Sequence, residues 1–236
     1  MSPTTRRLSL TVLSCALLFL AGAGCSQRAS RVVAPEPTAP APEPNSPGNA
    51  LQLLRYDWEH RAPGPYGLLF TEDYVFVFSE RDSAGKPFLS KPWGREDELA
   101  SAEHMFVTGT ATDPPASSIW LDYPFPLITY PDDRDGKDAR WHKQIRAQVL
   151  LRFNRGDSGF EVKGAELFYL VRGDSALIPP ELRDQGFGPD SSRWWIERWV
   201  DESLQDQSPA PARLAPPAAA QPTRAWSLGA IKALYR

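Results

Sequence analysis

The chain has 236 residues, with 26 Lys and Arg against 29 Asp and Glu, which gives a formal net charge of −3 at pH 7. Hydrophobic residues make up 42% of it, so the chain can build a folded core, whereas intrinsically disordered chains are far more polar. The basic residues are not concentrated in one segment, which argues against nucleic acid as a partner.

The N-terminus, residues 1–24, has the organisation of a secretory signal peptide. Arg6 and Arg7 precede a mostly apolar run over residues 8–20, which is too short to span a bilayer and has the length of a signal core. Export of the remaining chain is therefore expected.

Small residues end this signal at Ala23, Gly24 and Cys25. They resemble the lipobox of bacterial lipoproteins, which implies cleavage before Cys25 and attachment of diacylglycerol to its sulfur. Acyl chains on this residue would hold the protein on the membrane. By the same resemblance, Ser26 favours the outer membrane, with the protein facing the periplasm. The alternative is an ordinary signal-peptidase site beside an incidental thiol.

Two segments rich in proline and alanine flank the predicted domain. Residues 25–45 are expected to form an extended, disordered tether, and residues 204–224 a second linker. The last segment, residues 225–236, differs because Trp226 and Ile231 would share one helical face. It predicts a short helix that docks back on the domain, with a disordered tail as the alternative.

Between these segments, residues 46–203 are predicted to form one domain that begins with a helix. Ser46 and Pro47 supply an N-cap and a first helical residue, and Leu51 and Trp58 then fall on one face. This pattern predicts an amphipathic helix that runs towards residue 60.

Three further elements precede the long strands. Residues 66–70 predict a short helical turn, and residues 74–78 a strand, because they are rich in β-formers. Residues 95–106 predict a second amphipathic helix, with acidic residues in its first turn, where the helix dipole favours them.

From residue 119 onward the pattern is that of strands. Residues 119–130 predict a strand interrupted by prolines, residues 141–171 a long hairpin, and residues 193–201 a last strand. In the second arm of the hairpin the apolar alternation changes parity beyond Gly164. That change predicts a β-bulge near Gly164 and a bent sheet.

This order of elements, together with particular residues, resembles the nuclear transport factor 2-like superfamily, also called SnoaL-like. The resemblance rests on the first helix, the entry to the first strand, the start of the next helix and the last strand, residues 51–58, 68–74, 93–98 and 194–199. It implies an α+β domain in which a cone-like, curved antiparallel sheet packs on N-terminal helices, with a pocket at its wide end. It also implies a homodimer through the open sheet face as one candidate assembly.

The superfamily that the sequence resembles includes isomerases and dehydratases. These enzymes place an Asp or His inside the cone as a general base, with a Tyr or a second acid as hydrogen-bond donor. Candidate inward polar residues are Tyr56, Asp57, Asp122, Tyr123 and Tyr169. Asp57 is expected on the solvent side of its helix, and no two of the five fit a catalytic motif. No catalytic residue is therefore assigned.

Aromatic residues supply candidates for a binding surface. The predicted pocket-lining residues are Trp58, Tyr123, Tyr169, Trp195 and Trp199. Strand alternation would place Trp195 and Trp199 on one face of the last strand. A stacking surface for a ligand and plain core packing both fit this pattern.

The sequence favours no metal site and no cofactor. The three histidines stand in separate segments without ligand spacing. The acid-rich stretch at residues 133–138 lacks the spacing of an EF-hand and includes Arg134 and Lys137, so a turn explains it as well as a calcium loop does.

The favoured function is that of a lipid-anchored cell-envelope protein whose domain acts without catalysis, as a module for a small hydrophobic ligand or an envelope protein. Two alternatives stay open. One is an isomerase- or dehydratase-type enzyme with an Asp or His base in the cone, and the other is a structural assembly subunit.

Overall fold

The computed structural model describes residues 40–80, 86–88, 90–156, 158–203 and 226–236. The predicted signal peptide, Cys25, most of the tether and the linker at residues 204–224 lie outside the described residues. Within the described ranges, no helix is both long and apolar enough to cross a membrane.

The first helix begins at the predicted cap. α1 spans Pro47–His60, and the Ser46 side chain accepts a hydrogen bond from the Asn49 N–H at 3.1 Å. The helix ends at Arg61, whose φ of 51° is left-handed, as is common at helix C-termini. A five-residue helix, α2 (Pro63–Gly67), follows directly. Proline begins both helices, where its missing N–H costs no intrahelical bond.

The remaining helices are α3 (Arg95–Glu103), α4 (Pro180–Arg183) and α5 (Leu228–Leu234). α3 continues into a π-helical turn, His104–Thr108, so helical structure covers the predicted segment at residues 95–106. α5 lies in the C-terminal segment, where the sequence predicts a short helix.

The described strands form one sheet of seven strands, in the order β2-β1-β7-β6-β5-β3, with β4 also paired to β5. They are β1 (Phe70–Val77), β2 (Trp93–Gly94), β3 (Ser118–Asp122), β4 (Thr129–Pro131), β5 (His142–Arg155), β6 (Ser158–Arg172) and β7 (Trp194–Asp201). The single strand predicted at residues 119–130 is thus two strands, separated by a segment that contains both prolines.

The sheet is mixed rather than antiparallel as expected. β1 and β7 run parallel, whereas the other paired strands are antiparallel. A tight hairpin joins only antiparallel strands, and a parallel neighbour needs a long connection. Most of the domain lies between β1 and β7, so the chain can return beside β1 in the same direction.

The fold class is α+β, with a curved sheet whose inner face is covered by helices. The main core lies between the inner face and α1, α2, α3 and α5, and its large members are Trp58, Trp93, Trp194, Trp199, Phe70, Phe76, Phe106 and Phe168. A smaller cluster packs on the outer face of the sheet and consists of Val171, Ala176, Ile178, Leu182 and Trp195.

The bulge predicted near Gly164 is absent from the pairing of β5 with β6. These two strands pair without a register shift along their whole length, and Gly164 lies opposite Val149. The prediction was wrong because it assumed that only apolar residues face the core. Glu166 faces inward and is fully buried, while its neighbour Leu167 faces outward.

The irregularity lies in β7 instead. Tyr169 pairs with Arg198 and Leu170 with Ile196, so Glu197 is the extra residue. This shift reverses the parity of β7, and Trp194 therefore joins Trp199 in the main core while Trp195 faces outward. The predicted common face of Trp195 and Trp199 is wrong for that reason.

Candidate functional site

The inside of the curved sheet holds a buried lysine. Lys232, on α5, is fully buried, and its ammonium lies 2.6 Å from a carboxylate oxygen of Glu98 in α3. Burial lowers the pKa of Lys232, and the charge of Glu98 opposes that shift. A buried ion pair needs further hydrogen bonds to offset the lost hydration of both charges.

Three more donors converge on Glu98 and supply those bonds. The Tyr74 hydroxyl donates at 3.2 Å and the Trp93 indole N–H at 3.1 Å, and the Tyr66 hydroxyl donates to the oxygen that Lys232 also contacts. Burial raises the pKa of Tyr66 and of Tyr74 well above the ordinary value, and the charge of Glu98 adds to it. Both hydroxyls therefore remain protonated donors.

Two aromatic rings enclose the other sides of the ammonium. The Nζ atom of Lys232 lies 3.8 Å from the ring centroid of Trp199 and 4.1 Å from that of Phe76. Rings at these distances attract a cation through their quadrupoles, and more strongly when water is excluded. The interior is thus suited to an ammonium group, and a residue of the chain itself occupies it.

The side chain of Asp201, the last residue of β7, forms a hydrogen bond with the start of α5. Its carboxylate accepts hydrogen bonds from the Gly229 N–H at 2.8 Å and the Ser203 N–H at 2.9 Å. At the other end of α5, the Tyr235 hydroxyl donates to the Pro114 carbonyl at 2.7 Å. Because Tyr235 is fully buried in the main core, the C-terminal segment is an integral part of the domain.

A second acid faces the same interior. Glu166 is fully buried and accepts a hydrogen bond from the Trp199 indole N–H at 2.7 Å, while its other oxygen has no partner among the described residues. Burial raises the pKa of Glu166, and the negative charge of Asp201 raises it further. Both effects favour the neutral form of Glu166, whereas the Trp199 hydrogen bond and the charge of Lys232 oppose them.

Asp57 faces the core and not the solvent, contrary to the expectation from the helix pattern. It is 0% exposed, and neither carboxylate oxygen has a hydrogen-bond partner among the described residues. Burial raises its pKa to about 7. α2 packs against α1, and its Tyr66 lies near enough to Asp57 for the carboxyl to act on the pKa of the hydroxyl, so packing buries a position that an isolated helix would expose.

The structure brings some of the predicted pocket-lining residues together. Trp58 and Trp199 have ring centroids 6.4 Å apart inside the core. Tyr123 is buried, and its hydroxyl donates a hydrogen bond to the Leu51 carbonyl of α1 at 3.2 Å. These three residues pack with other side chains of the main core.

The other two predicted pocket-lining residues lie on the outer face. Trp195 belongs to the outer cluster, and Tyr169 carries the Arg134 guanidinium 4.1 Å from its ring centroid. The five residues therefore do not form one site. The reversed parity of β7 separates Trp195 from Trp199, and Tyr169 packs under the turn that follows β4.

The remaining inward candidates, Tyr56 and Asp122, are partly exposed. The Tyr56 ring stacks on His60 at 3.8 Å, and Asp122 forms a salt bridge with Arg55 at 3.3 Å. Both are therefore at partly exposed positions, unlike the fully buried Asp57.

The acid-rich stretch at residues 133–138 forms a salt-bridge network. Arg134 lies 2.6 Å and Lys137 2.5 Å from the two oxygens of Glu197, the bulged residue of β7. Across the described ranges, no group of three or more His, Cys, Asp or Glu is arranged to hold a metal ion.

Two large grooves lie outside the curve of the sheet. One, of about 490 Å³, runs between residues 43–45 and the loop at residues 186–193. The other, of about 510 Å³, crosses the outer face of β5 and β6 beside Phe125, which is 65% exposed. Asp57, Glu166 and Lys232 line neither groove.

The sequence pattern does not identify Glu98, Glu166 or Lys232 as polar residues of the interior. The position of Glu98 in the first turn of its helix is already explained by the helix dipole. Lys232 lies in α5, which is too short to show a clear apolar stripe in the sequence. Of these residues, only Glu166 has a detectable effect on the sequence pattern. The apolar alternation of β6 changes parity after Gly164 because Glu166 occupies a core-facing position there.

No protein-family model matches the chain, and no curated protein sequence matches it. Among solved structures, the chain is similar to a nuclear transport factor 2-like superfamily protein from Salmonella enterica serovar Typhimurium, with 12% identity and a TM-score of 0.43 over 70% of this chain and 94% of that chain. It is also similar to a hexachlorocyclohexane dehydrochlorinase, LinA type 2, with 13% identity and a TM-score of 0.43 over 72% of this chain and 90% of that one.

A third similar structure is a nuclear transport factor 2-like protein with a cystatin-like fold from Novosphingobium aromaticivorans, with 10% identity and a TM-score of 0.39 over 68% of this chain and 81% of that chain. At these identities and TM-scores the likeness says nothing about activity. Solved structures similar to this chain include members of the nuclear transport factor 2-like superfamily, the family that its sequence resembles.

Proposed function

We propose that the domain is a non-catalytic binding module whose ligand or partner contacts it outside the cone. The observation that carries this proposal is the occupation of the interior by Lys232, which is bound to Glu98 and enclosed by Trp199 and Phe76. A substrate of the isomerase type would need that space beside a base. The two large grooves on the outer side supply surface for binding instead.

Native mass spectrometry of the protein isolated from its own cells tests this proposal. We expect a retained ligand or partner to stay bound when Glu98 is changed to Gln, because the contact lies outside the cone. A small molecule that is retained by the parent chain and lost from Glu98→Gln, with folding intact by circular dichroism, would place the ligand inside and contradict the proposal.

We further propose that the module is anchored in the cell envelope through lipid on Cys25, with the outer membrane as its location. The small residues before Cys25 and the apolar run at residues 8–20 support this. Cys25→Ser should move the protein from the membrane fraction to the soluble fraction. Unchanged recovery of Cys25→Ser in the membrane pellet would contradict the anchor.

An enzyme of isomerase or dehydratase type is the second candidate function, and Asp57 is the observation that favours it. Its buried carboxyl, with a pKa near 7, has the protonation behaviour of a general base. The absence of any hydrogen-bond partner within the described residues leaves it without an orienting group. Turnover of a small ketone or hydroxy substrate that Asp57→Asn abolishes would favour this candidate over the module.

A structural assembly subunit is the third candidate, in which copies of the domain pair through the outer sheet face. The groove beside Phe125 and the half-buried Leu150 and Ala165 support it. Light scattering of the lipid-free chain decides between a monomer and a dimer. A dimer that Phe125→Asp converts to a monomer would support assembly, and a monomer at high concentration would count against it.

A further inference from the structure

The groove between residues 43–45 and 186–193 has the size of a small-molecule site. Its volume is about 490 Å³, and its walls include Pro44, Phe187 and Arg193. Sites for small ligands commonly have volumes of about 300–1,000 Å³ and combine apolar walls with a few polar groups.

Hydrogen bonds hold both walls of this groove in place. The Trp194 N–H donates to the Pro44 carbonyl at 2.8 Å, which fixes the N-terminal wall to the start of β7. The Gly173 N–H donates to the Asp190 carbonyl at 3.1 Å, and the Ser192 N–H donates to the Asp190 carboxylate at 2.7 Å. A site with fixed walls loses less conformational freedom on binding.

Arg193 supplies a positive charge that forms no salt bridge with a described acid, although the carboxylate of Asp190 is near enough to act on its pKa. Its guanidinium lies 4.5 Å from the ring centroid of Trp195 and 5.1 Å from that of Phe187, and it donates one hydrogen bond to the Leu68 carbonyl at 2.8 Å. Its Nε is buried without a partner, and no described carboxylate lies within salt-bridge distance. Burial lowers the pKa of Arg193, but a guanidinium remains protonated.

Such an arginine is suited to a carboxylate. The rings of Trp195 and Phe187 lie against the guanidinium, and this planar group can donate two parallel hydrogen bonds to one carboxylate. A carboxylate at this position would accept charge-assisted hydrogen bonds from the guanidinium, which are stronger than those that a neutral carbonyl would accept.

The same groove carries two exposed acids. Glu43 lines one wall and Asp190 the other. Hydrogen bonds from the Ser192 hydroxyl and N–H lower the pKa of Asp190, so its carboxylate is ionised at neutral pH. A ligand with only negative charge would meet repulsion here, whereas an ammonium group on the ligand would be attracted.

We propose that this groove binds small zwitterions of the amino-acid and short-peptide class, with the carboxylate on Arg193 and the ammonium towards Glu43 and Asp190. The proposal rests on the binding function inferred above and adds its location and ligand class. The arrangement uses Arg193, which is the one cation among the described residues that line the groove, together with the two acids Glu43 and Asp190 and the apolar surface of Phe187.

Calorimetric titration of the full chain with three probes tests the proposal: dialanine, its methyl ester, and N-acetyl-dialanine. We expect saturable binding of dialanine and at least a roughly tenfold weaker affinity for the ester, because a charge-assisted pair on arginine is lost. N-acetyl-dialanine, in which a neutral acetamide replaces the ammonium group, should bind several-fold more weakly than dialanine.

Variants of the chain locate the site. Arg193→Gln should weaken dialanine binding by about tenfold or more, whereas Arg183→Gln, at an exposed arginine outside the groove, should leave it unchanged. Gly188→Trp should abolish binding while leaving Arg193 in place, because an added side chain at Gly188 meets no atom within 4 Å and would extend into the groove. Gly188→Trp therefore remains informative if Arg193→Gln fails to fold.

Equal affinities for dialanine and its ester, or dialanine binding that Gly188→Trp leaves intact, would overturn the proposal. So would the absence of saturable binding for all three probes up to millimolar concentration. None of these three results would affect the proposed binding function itself, which the Glu98→Gln comparison tests separately.

Discussion

The ammonium of Lys232 lies 2.6 Å from the carboxylate of Glu98, and the two side chains are 0% and 1% exposed. The two residues are far apart in the sequence, and their pairing fixes the C-terminal helix inside the curve of the sheet. Removal of one partner would leave the other charge buried and unpaired, which costs far more than the loss of a surface pair.

Lys232→Met tests the strength of this pair. Methionine keeps the length of the side chain but leaves Glu98 without its cation, so the free energy of unfolding should fall by about 3–5 kcal/mol. Urea denaturation measures it. In the double variant Lys232→Met, Glu98→Gln, where neither of these two positions carries a charge, we expect a substantial part of the loss to be recovered.

Arg236→Met is the matched control for that prediction. Arg236 forms a more exposed salt bridge with Asp97 at 3.2 Å, so its loss should cost less than about 1 kcal/mol. If Lys232→Met were no more destabilising than Arg236→Met, the buried pair would not hold α5 in place.

Asp57 should make the stability of the domain depend on pH. Its pKa is raised from 3.8 to about 7 by burial, so the folded chain keeps a proton that the unfolded chain releases. The free energy of unfolding therefore falls by at most about 4 kcal/mol as pH rises from about 4 to 7, and it stays level above pH 7. Asp57→Asn should remove this fall.

Thermal melts at two pH values measure the effect. At pH 8, Asp57→Asn should be more stable than the parent chain by about 2–4 kcal/mol, and near pH 4 the two should differ little. A stability difference that is the same at both pH values would mean that Asp57 does not hold its proton in the folded state.

Gly164 should be intolerant of a side chain. An added Cβ would lie 2.5 Å from the Cβ of Ser203, so the segment that follows β7 would have to move. Gly164→Ala is expected to lower the free energy of unfolding by about 1–3 kcal/mol. Gly48→Ala, in α1 with no atom within 4 Å of the added Cβ, should raise it by about 0.5–1 kcal/mol. Chemical denaturation of both variants checks the contrast.

Local chemistry in the sequence predicted much of the helical structure and the long hairpin. Ser46 and Pro47 mark the start of α1, and the turn after Asn154 marks the reversal between β5 and β6. The alternation of β5 also assigned its inner face, since Ile145 and Leu151 are buried there. These features depend on residues that are close together in the chain, so a single sequence is enough to predict them.

The interior of the domain could not be predicted in the same way. Glu166 and Asp57 are acids at core-facing positions, so a pattern that places polar residues in solvent assigns them to the wrong side. The shift at Glu197 depends on the network that Arg134 and Lys137 form with it across the fold. The pairing of Glu98 with Lys232 likewise joins residues that no local pattern connects.

Hydrogen–deuterium exchange of residues 226–236 tests most directly whether the chain itself fills the cone. We predict that the amides of Ala230, Ile231 and Tyr235 exchange as slowly as those of β6 and β7, because α5 can leave only when the whole domain unfolds. Exchange of these three amides within seconds, while β6 and β7 stay protected, would show an interior that opens on its own and would contradict the account.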